Sequence, residues 1–373
     1  MPVSDPARDH LDVLFFGTYD VRSHPRVLAL QEGLLAAGDQ VSECNFVLGL
    51  DTASRVRILK RPYLLPWFAL RLLRAWAVLA LRARKLPRPD AVVVGYLGHF
   101  DVLLARRLFR GVPIALDHMI SAADTALDRG TKPGFKVRAL ARLDRAALSA
   151  ADAPFVDTTE HVALVPADLR ERTVVVPVGA PDHWFQPPPH VSAGPLSVVF
   201  FGLYTPLQGA PTIGRALGLL AGEDISVTMI GSGQDLAATR AAAAGNTRVD
   251  WRDWVDSADL PAVVAAGDVC LGIFGTGPKA LRVVPNKVYQ GAAAGCVIVT
   301  SDTPPQRHAL DGVAIFVPPG DAAALADVLR GPAADRARVA KMRLATYHHA
   351  VKAFTPATVV APLRERLLLW PTP

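Results

Sequence analysis

Residues 200–217 read FFGLYTPLQGAPTIGRAL: an apolar run that closes on Gly202, a polar turn through Thr205, Pro206, Gln208 and Gly209, and then a helix pattern. Glycines at such a turn let the backbone approach a ligand closely, and the free amides of the helix start favour an anion. The next apolar run closes in the same way, as VTMIGSGQDL over 227–236, with Gly231 and Gly233 before a second helix pattern. A strand that ends on glycine and feeds a helix, repeated along the chain, is the pattern of a doubly wound parallel sheet.

Working outward, apolar runs at 196–201, 226–230, 269–273, 297–300 and 314–317 alternate with helix patterns at 210–220, 235–244, 257–266, 286–294 and 322–330. An earlier series runs through 11–17, 41–47, 91–94, 113–116, 153–156 and 174–178, with a helix expected over 25–37. Between the two series lies HWFQPPPHVSAGP, where Pro187, Pro188, Pro189 and Pro195 permit neither a helix nor a central strand. The expectation is an α/β chain of two Rossmann-like doubly wound domains facing across a cleft, with residues 1–188 first and 189–344 second. A terminal helix within 345–373, broken at Pro356, is expected to pack back on the first domain.

With 373 residues the chain has room for two domains, and 51% apolar against 20% charged residues excludes a disordered chain. Cys44, Cys270 and Cys296 are an odd count without metal-ligand spacing, so no disulfide framework or metal is expected and a reducing, cytoplasmic setting fits. The first ten residues do not read as a signal peptide.

The net charge of +6 is local. Residues 52–89 hold ten cations and no acid, and the rest of the chain, with 30 basic and 34 acidic residues, is net negative. That distribution argues against nucleic acid as a partner. A helix is expected over 66–86, with Arg71, Arg74, Arg82 and Lys85 near one face and Trp67 and Trp76 among leucines. It is too interrupted to span a bilayer. Two readings stay open: a surface helix with solvated arginines, or a helix lying on an anionic membrane surface, peripheral on its inner face.

The stretch 277–295, GPKALRVVPNKVYQGAAAG, sets Lys279, Arg282 and Lys287 around Pro285 and Asn286 at a helix start. A helix N-terminus is electropositive, so cations gathered there call for an anion between them, and a diphosphate is the natural candidate.

Five ordered stretches together resemble the C-terminal domain of the GT-B glycosyltransferases of retaining family 4, the glycosyl transferases group 1. They are FFGLYTPLQGAPTI, VTMIGSGQ, RVDWRDWVDSADLPAVVAAGDVCLGIF, VVPNKVYQGAAAGCVIVTSD and IFVPPGDAAALADVL. FFGTYD, LDH at 116–118 and PVGAP at 177–181 extend the resemblance more loosely into the first half. It implies a hexosyltransferase-type enzyme (EC 2.4) that moves a sugar from a nucleotide-diphosphate donor to a hydroxyl acceptor with retention, without a separate cofactor. The expected setting is glycan, glycolipid or exopolysaccharide biosynthesis, with a sugar, lipid-linked or small-molecule acceptor.

Departures from the family pattern are equally plain. Leu203 and Gln208 stand where members carry a diphosphate-binding Arg and Lys, and Arg282 and Gln290 where they carry paired glutamates. We therefore expect the neutralising charge to have moved to Lys279, Arg282 and Lys287. Two alternatives stay open: an enzyme of a soluble natural-product pathway, which keeps the chemistry and changes the acceptor, or, suggested by the lost glutamates, a non-catalytic nucleotide-sugar-binding relative. The resemblance further implies that His118 reaches the donor sugar and that Trp254 and Val255 flank the nucleobase, where an indole offers a stacking face. Gly17 and Asp20, after the first strand, are expected to face the cleft. His99 is a second histidine candidate, and Asp117 and Asp124 border the same edge.

Overall fold

The computed structural model describes residues 9–21, 25–49, 62–188 and 194–370. The 50–61 part of the basic segment and residues 189–193 of the expected linker lie outside the described residues.

The first sheet is built from β1 (Asp12–Gly17), β2 (Gln40–Asn45), β3 (Ala91–Val94), β4 (Ile114–Asp117), β5 (Ala153–Val156) and β6 (Val174–Val175). All pairings are parallel, in the order β2-β1-β3-β4-β5-β6. Alternate residues of each strand point to opposite faces, and both faces are covered. Val13, Phe15, Val93 and Phe155 pack with Val27, Leu30 and Leu34 of α1 (Pro25–Ala36). On the other face Leu14, Phe16, Val92 and Val94 meet α2 (Leu65–Ala83), α3 (Asp101–Leu108) and, beyond α4 (Ala122–Asp128), α5 (Phe135–Ala150). Fully burying each such side chain contributes about 1.5–3 kcal/mol. The short α6 (Thr159–Val162) follows β5.

The second sheet comprises β7 (Leu196–Phe201), β8 (Ile225–Ile230), β9 (Val249–Arg252), β10 (Val269–Leu271), β11 (Val297–Ser301) and β12 (Ala314–Val317). It is again parallel, in the order β12-β11-β10-β7-β8-β9. Its helices are α7 (Ala210–Leu219), α8 (Leu236–Ala242), α9 (Leu260–Ala265), α10 (Asn286–Ala293), α11 (Pro304–Leu310) and α12 (Ala322–Ala334). The strand order reverses beside β1 in one sheet and beside β7 in the other, and ligands of open α/β sheets collect at such points, outside the carboxyl ends of the strands. The expected two doubly wound layers are present; β9, half-buried on alternate residues and exposed on the others, was not among the expected strands.

Helix α13 (Arg336–Ala353) stays on the second sheet, where buried Arg343 bonds the carbonyls of Gly295 and Ala265 at 2.8 and 2.9 Å and Asp268 at 3.2 Å. The chain then crosses at Phe354–Thr355, later than residue 345, and α14 (Pro356–Leu368) packs on α1. Close approach there requires Gly33, whose added Cβ would lie 2.2 Å from the Pro356 carbonyl oxygen.

Candidate functional site

The carboxyl ends of β7 and β8 are locked together by glycines. A Cβ on Gly231 (φ +121°) would lie 2.0 Å from the Gly202 carbonyl oxygen, and one on Gly209 (φ +62°) 2.3 Å from the Phe274 backbone. The result is a tight loop over Gly202, buried Thr205, buried Gln208 and Gly209, leading into α7.

Lys287 enters this loop from below. It sits in the first turn of α10 behind the Pro285 cap and Asn286, yet its side chain is buried and its Nζ donates to Gln208 Oε1 at 2.5 Å. The ammonium lies 3.6 Å from the Phe200 ring centroid, and a Cβ on Gly202 would stand 3.3 Å from it. Burial pushes Lys287 down to about 7. The chain thus supplies an ammonium to the glycine loop from a different element than the loop itself. Gln290, one turn further along α10, is also buried.

Lys279 and Arg282, unlike Lys287, have their partners in the first domain. Arg282 Nη2 pairs with Asp124 Oδ1 of α4 at 2.7 Å, and Lys279 Nζ donates to Thr125 Oγ1 at 2.9 Å. Lys279 is lowered by burial, while Asp128 and Asp124 oppose the shift. The Arg282 carbonyl also accepts from Thr158 Oγ1 at 2.8 Å. These contacts join the second domain to the first, so both cations already have partners there. Trp254 is 79% exposed beside half-buried Val255, leaving an open indole face.

Across the boundary, the carboxyl edge of the first sheet holds Gly17, Asp20, His99 and His118. Thr18, next to Gly17, donates its amide and hydroxyl to Asp101 Oδ2, both at 2.8 Å, and Asp20 is half-buried just beyond. Buried His118 follows β4, and burial lowers its pKa. Its neighbour Met119 packs into the second domain's core. His99 and His118 both face Asp144 of α5, at 2.9 and 3.5 Å from Oδ1. Asp144 was missed in the sequence; the available signal was an acid on the core-facing side of a helix, beside Ala147 and Leu148. Leu97, two residues before His99, has φ 60°, a strained value for a side chain of that size. Asp117 turns inward to Arg26, at 2.9 Å, as a buried structural pair.

Of the basic helix, the structure sorts the expected surface residues. Trp67 is exposed with Leu70, Leu73 and Leu81, Arg71 stacks on Trp67 at 5.2 Å, and Arg74 and Lys85 are exposed. Trp76 is corrected: it turns inward, its Nε1 donating to Asp101 Oδ1 at 3.1 Å. Arg82 donates to the Asn45 carbonyl at 2.6 Å. No helix among the described residues is long and apolar enough to cross a membrane.

Residues 195–335 match the family model for glycosyl transferases group 1. No curated protein matches the chain in sequence. Among solved structures it is similar to sucrose-phosphate synthase from Thermosynechococcus elongatus (15% identity, TM-score 0.71, 96% of this chain and 98% of that one). It is also similar to Anabaena HepE solved with UDP (13% identity, TM-score 0.65, 95% and 99%) and with UDP-glucose (13% identity, TM-score 0.67, 96% and 99%). The fold is GT-B. In GT-B terms the glycine loop with Lys287 belongs to the C-terminal domain that the family model covers, and the His118 edge belongs to the N-terminal domain facing it.

Proposed function

We propose that the protein is a glycosyltransferase that holds a nucleotide-diphosphate sugar on the second domain and passes the sugar to a hydroxyl acceptor at the first. The observation that carries this reading is the Lys287 ammonium placed against Gly202 and Gln208. A diphosphate at the glycine loop would find a cation and the free amides of a helix start, in a site shielded from water. The family match over 195–335 and the likeness to HepE, solved with UDP and UDP-glucose, support a nucleotide sugar as donor. In this reading Lys279, Arg282 and Asn286 line the mouth of the same site, Gln290 hydrogen-bonds the ribose, and Trp254 and Val255 flank the base.

The transfer is read as retaining, of family 4 type. The bond from the anomeric carbon to the diphosphate breaks through an oxocarbenium-like state while the bond to the acceptor oxygen forms on the same face. The acceptor proton passes to the departing phosphate oxygen. The protein's task is then stabilisation of the diphosphate charge, by Lys287 above all, with His118 and Asp20 positioning the sugar and acceptor from the opposite domain.

The exposed stripe of Trp67, Leu70, Leu73 and Leu81, flanked by Arg74 and Lys85, favours an acceptor that is lipid-linked or membrane-proximal, with α2 resting on the anionic inner face. The decisive experiment is a thermal-shift and calorimetric screen over nucleotide sugars, followed by a transfer assay. A donor that binds the wild type, is lost in Lys287→Met and is turned over is the expected result. Binding without hydrolysis or transfer to any acceptor in a broad panel would leave the non-catalytic relative as the better description.

A further inference from the structure

Helices α2, α3 and α5 cover one face of the first sheet side by side, with α3 in the middle. Phe68 of α2 meets Phe100, just before α3, at 6.0 Å between ring centroids, and Arg106 of α3 donates to the Ala150 carbonyl of α5 at 2.8 Å. Leu79, Val102 and Ala147, one from each helix, are buried in the same cluster, so the outer sides of the three helices form one surface. That surface is cationic well beyond α2. Lys136, Arg138 and Arg142 of α5, Lys132 just before it and Arg107 of α3 are exposed, and among the described residues none has an ion-pair partner. Arg145 pairs with Asp168 at 2.8 Å. Between Arg129 and Ala151 the single acid is Asp144, and it is buried.

Helices that follow the strands of a parallel sheet start at the carboxyl edge of those strands, which here is the cleft edge. Asp101, the first residue of α3, lies there, accepting from Thr18 at the end of β1. The starts of α2 and α5 carry large exposed apolar side chains: Leu65, Trp67 and Leu70 on α2, and Phe135 on α5. Phe135 is 72% exposed, as open as Leu70 at 69%. It follows α4, whose Asp124 and Thr125 touch Arg282 and Lys279 of the second domain, so the α4–α5 connection borders the cleft.

We propose that the first domain docks on an anionic lipid bilayer through the whole α2–α3–α5 layer, with Phe135 as a second apolar anchor and Lys132, Lys136, Arg138 and Arg142 on the headgroups. This extends, and rests on, the reading of α2 as a membrane-facing helix. An exposed aromatic ring among cations, with no exposed acid beside it, suits a bilayer interface: the ring enters the acyl boundary and the cations meet anionic headgroups. A nucleic acid would use the cations but leave Phe135 and the α2 leucines in water. Two anchors also fix an orientation that one does not. A single helix on a surface can roll about its axis, whereas α2 and α5 together hold the cleft edge against the bilayer. A lipid-linked acceptor then reaches the cleft without leaving the membrane.

The test uses the full chain and vesicles of phosphatidylcholine, alone or mixed with phosphatidylglycerol. Flotation is measured for the wild type, for Lys136→Glu with Arg142→Glu, and for Arg74→Glu with Lys85→Glu as the α2 arm. We expect binding to the mixed vesicles only, and partitioning at least about tenfold weaker in each double variant. Phe135→Cys carrying an environment-sensitive fluorophore should shift to the blue on the mixed vesicles. The same label on Leu35→Cys, exposed on α1 at the opposite face of the sheet, should not shift. The chain's own cysteines are buried, so the label stays at the chosen position. Circular dichroism checks each fold; if the α5 reversal fails to fold, the label at position 135 decides. If the α2 reversal releases the protein while the α5 reversal and the label at 135 give no response, α2 alone faces the membrane and this proposal falls. If the α5 reversal weakens binding to heparin and leaves vesicle binding intact, the cations serve an acidic macromolecule and the proposal falls as well. A wild type that ignores both kinds of vesicle removes the α2 reading together with this one.

Discussion

Arg282 of the second domain lies 2.7 Å from Asp124 of the first, and with the Lys279–Thr125 bond at 2.9 Å it ties a loop of one sheet to helix α4 of the other. Both side chains of the ion pair are only about one-fifth exposed, so the pair bridges the two domains largely out of water. We predict that Arg282→Ala weakens nucleotide-diphosphate binding by about 1.5–3 kcal/mol, the range for a hydrogen bond to a charged group. Asp124→Ala frees the same guanidinium and should leave that affinity undiminished. Calorimetry on both variants checks this, and an equal loss in each would make the pair a latch only.

We predict that Lys287 couples donor binding to pH. In the free protein burial holds it near 7, and an arriving diphosphate favours the charged form and raises it. Binding must then take up a proton above about pH 7, so affinity falls as pH rises from 7 to 9, by up to about tenfold per unit. Calorimetry in buffers of different ionisation enthalpy measures the uptake directly. Lys287→Met should abolish both the pH dependence and most of the affinity.

Asp117 and Arg26 are a buried pair, and Arg26 also donates to the Val176 carbonyl at 2.9 Å. Asp117→Ala leaves a guanidinium inside the protein without its counter-charge, and we expect a loss of about 3–5 kcal/mol in chemical denaturation. Replacing both partners with apolar residues should recover a good part of it.

The outer stripe of α2 predicts binding to anionic vesicles. Reversing Arg74 and Lys85 to Glu should weaken flotation by at least about 1 kcal/mol per residue, with little change in melting temperature, because both side chains are exposed. Trp76→Phe, by contrast, should lower stability without affecting flotation, since its indole nitrogen is spent on Asp101. Vesicle binding unaltered by the double reversal would remove the membrane reading.

Gly209→Ala provides a structural control. Its φ of +62° and the Phe274 backbone 2.3 Å from the added carbon leave no room, so the variant should melt well below the wild type even without ligand. Saturating nucleotide should not restore the wild-type value.

Strand positions such as 91–94 and 196–201 were legible because a strand covered on both faces must be apolar along its whole length. β9 escaped notice because it is an edge strand, half-buried on alternate residues in a run of Asp, Trp and Arg. Lys279, Arg282 and Lys287 stood out as cations at a helix start, but their partners were illegible. Asp124 is 158 residues from Arg282, and Gln208 is 79 residues from Lys287.

The local order of apolar runs, glycine turns and helix starts determined the two doubly wound sheets, because periodicity and backbone sterics act over a few residues at a time. Tertiary structure alone decided which charge meets which. Lys287 goes to the glycine loop, Arg282 to Asp124, Trp76 to Asp101, and two histidines to Asp144. Electrostatics and hydrogen bonding depend on distance in space, and folding sets those distances between residues that the chain keeps far apart.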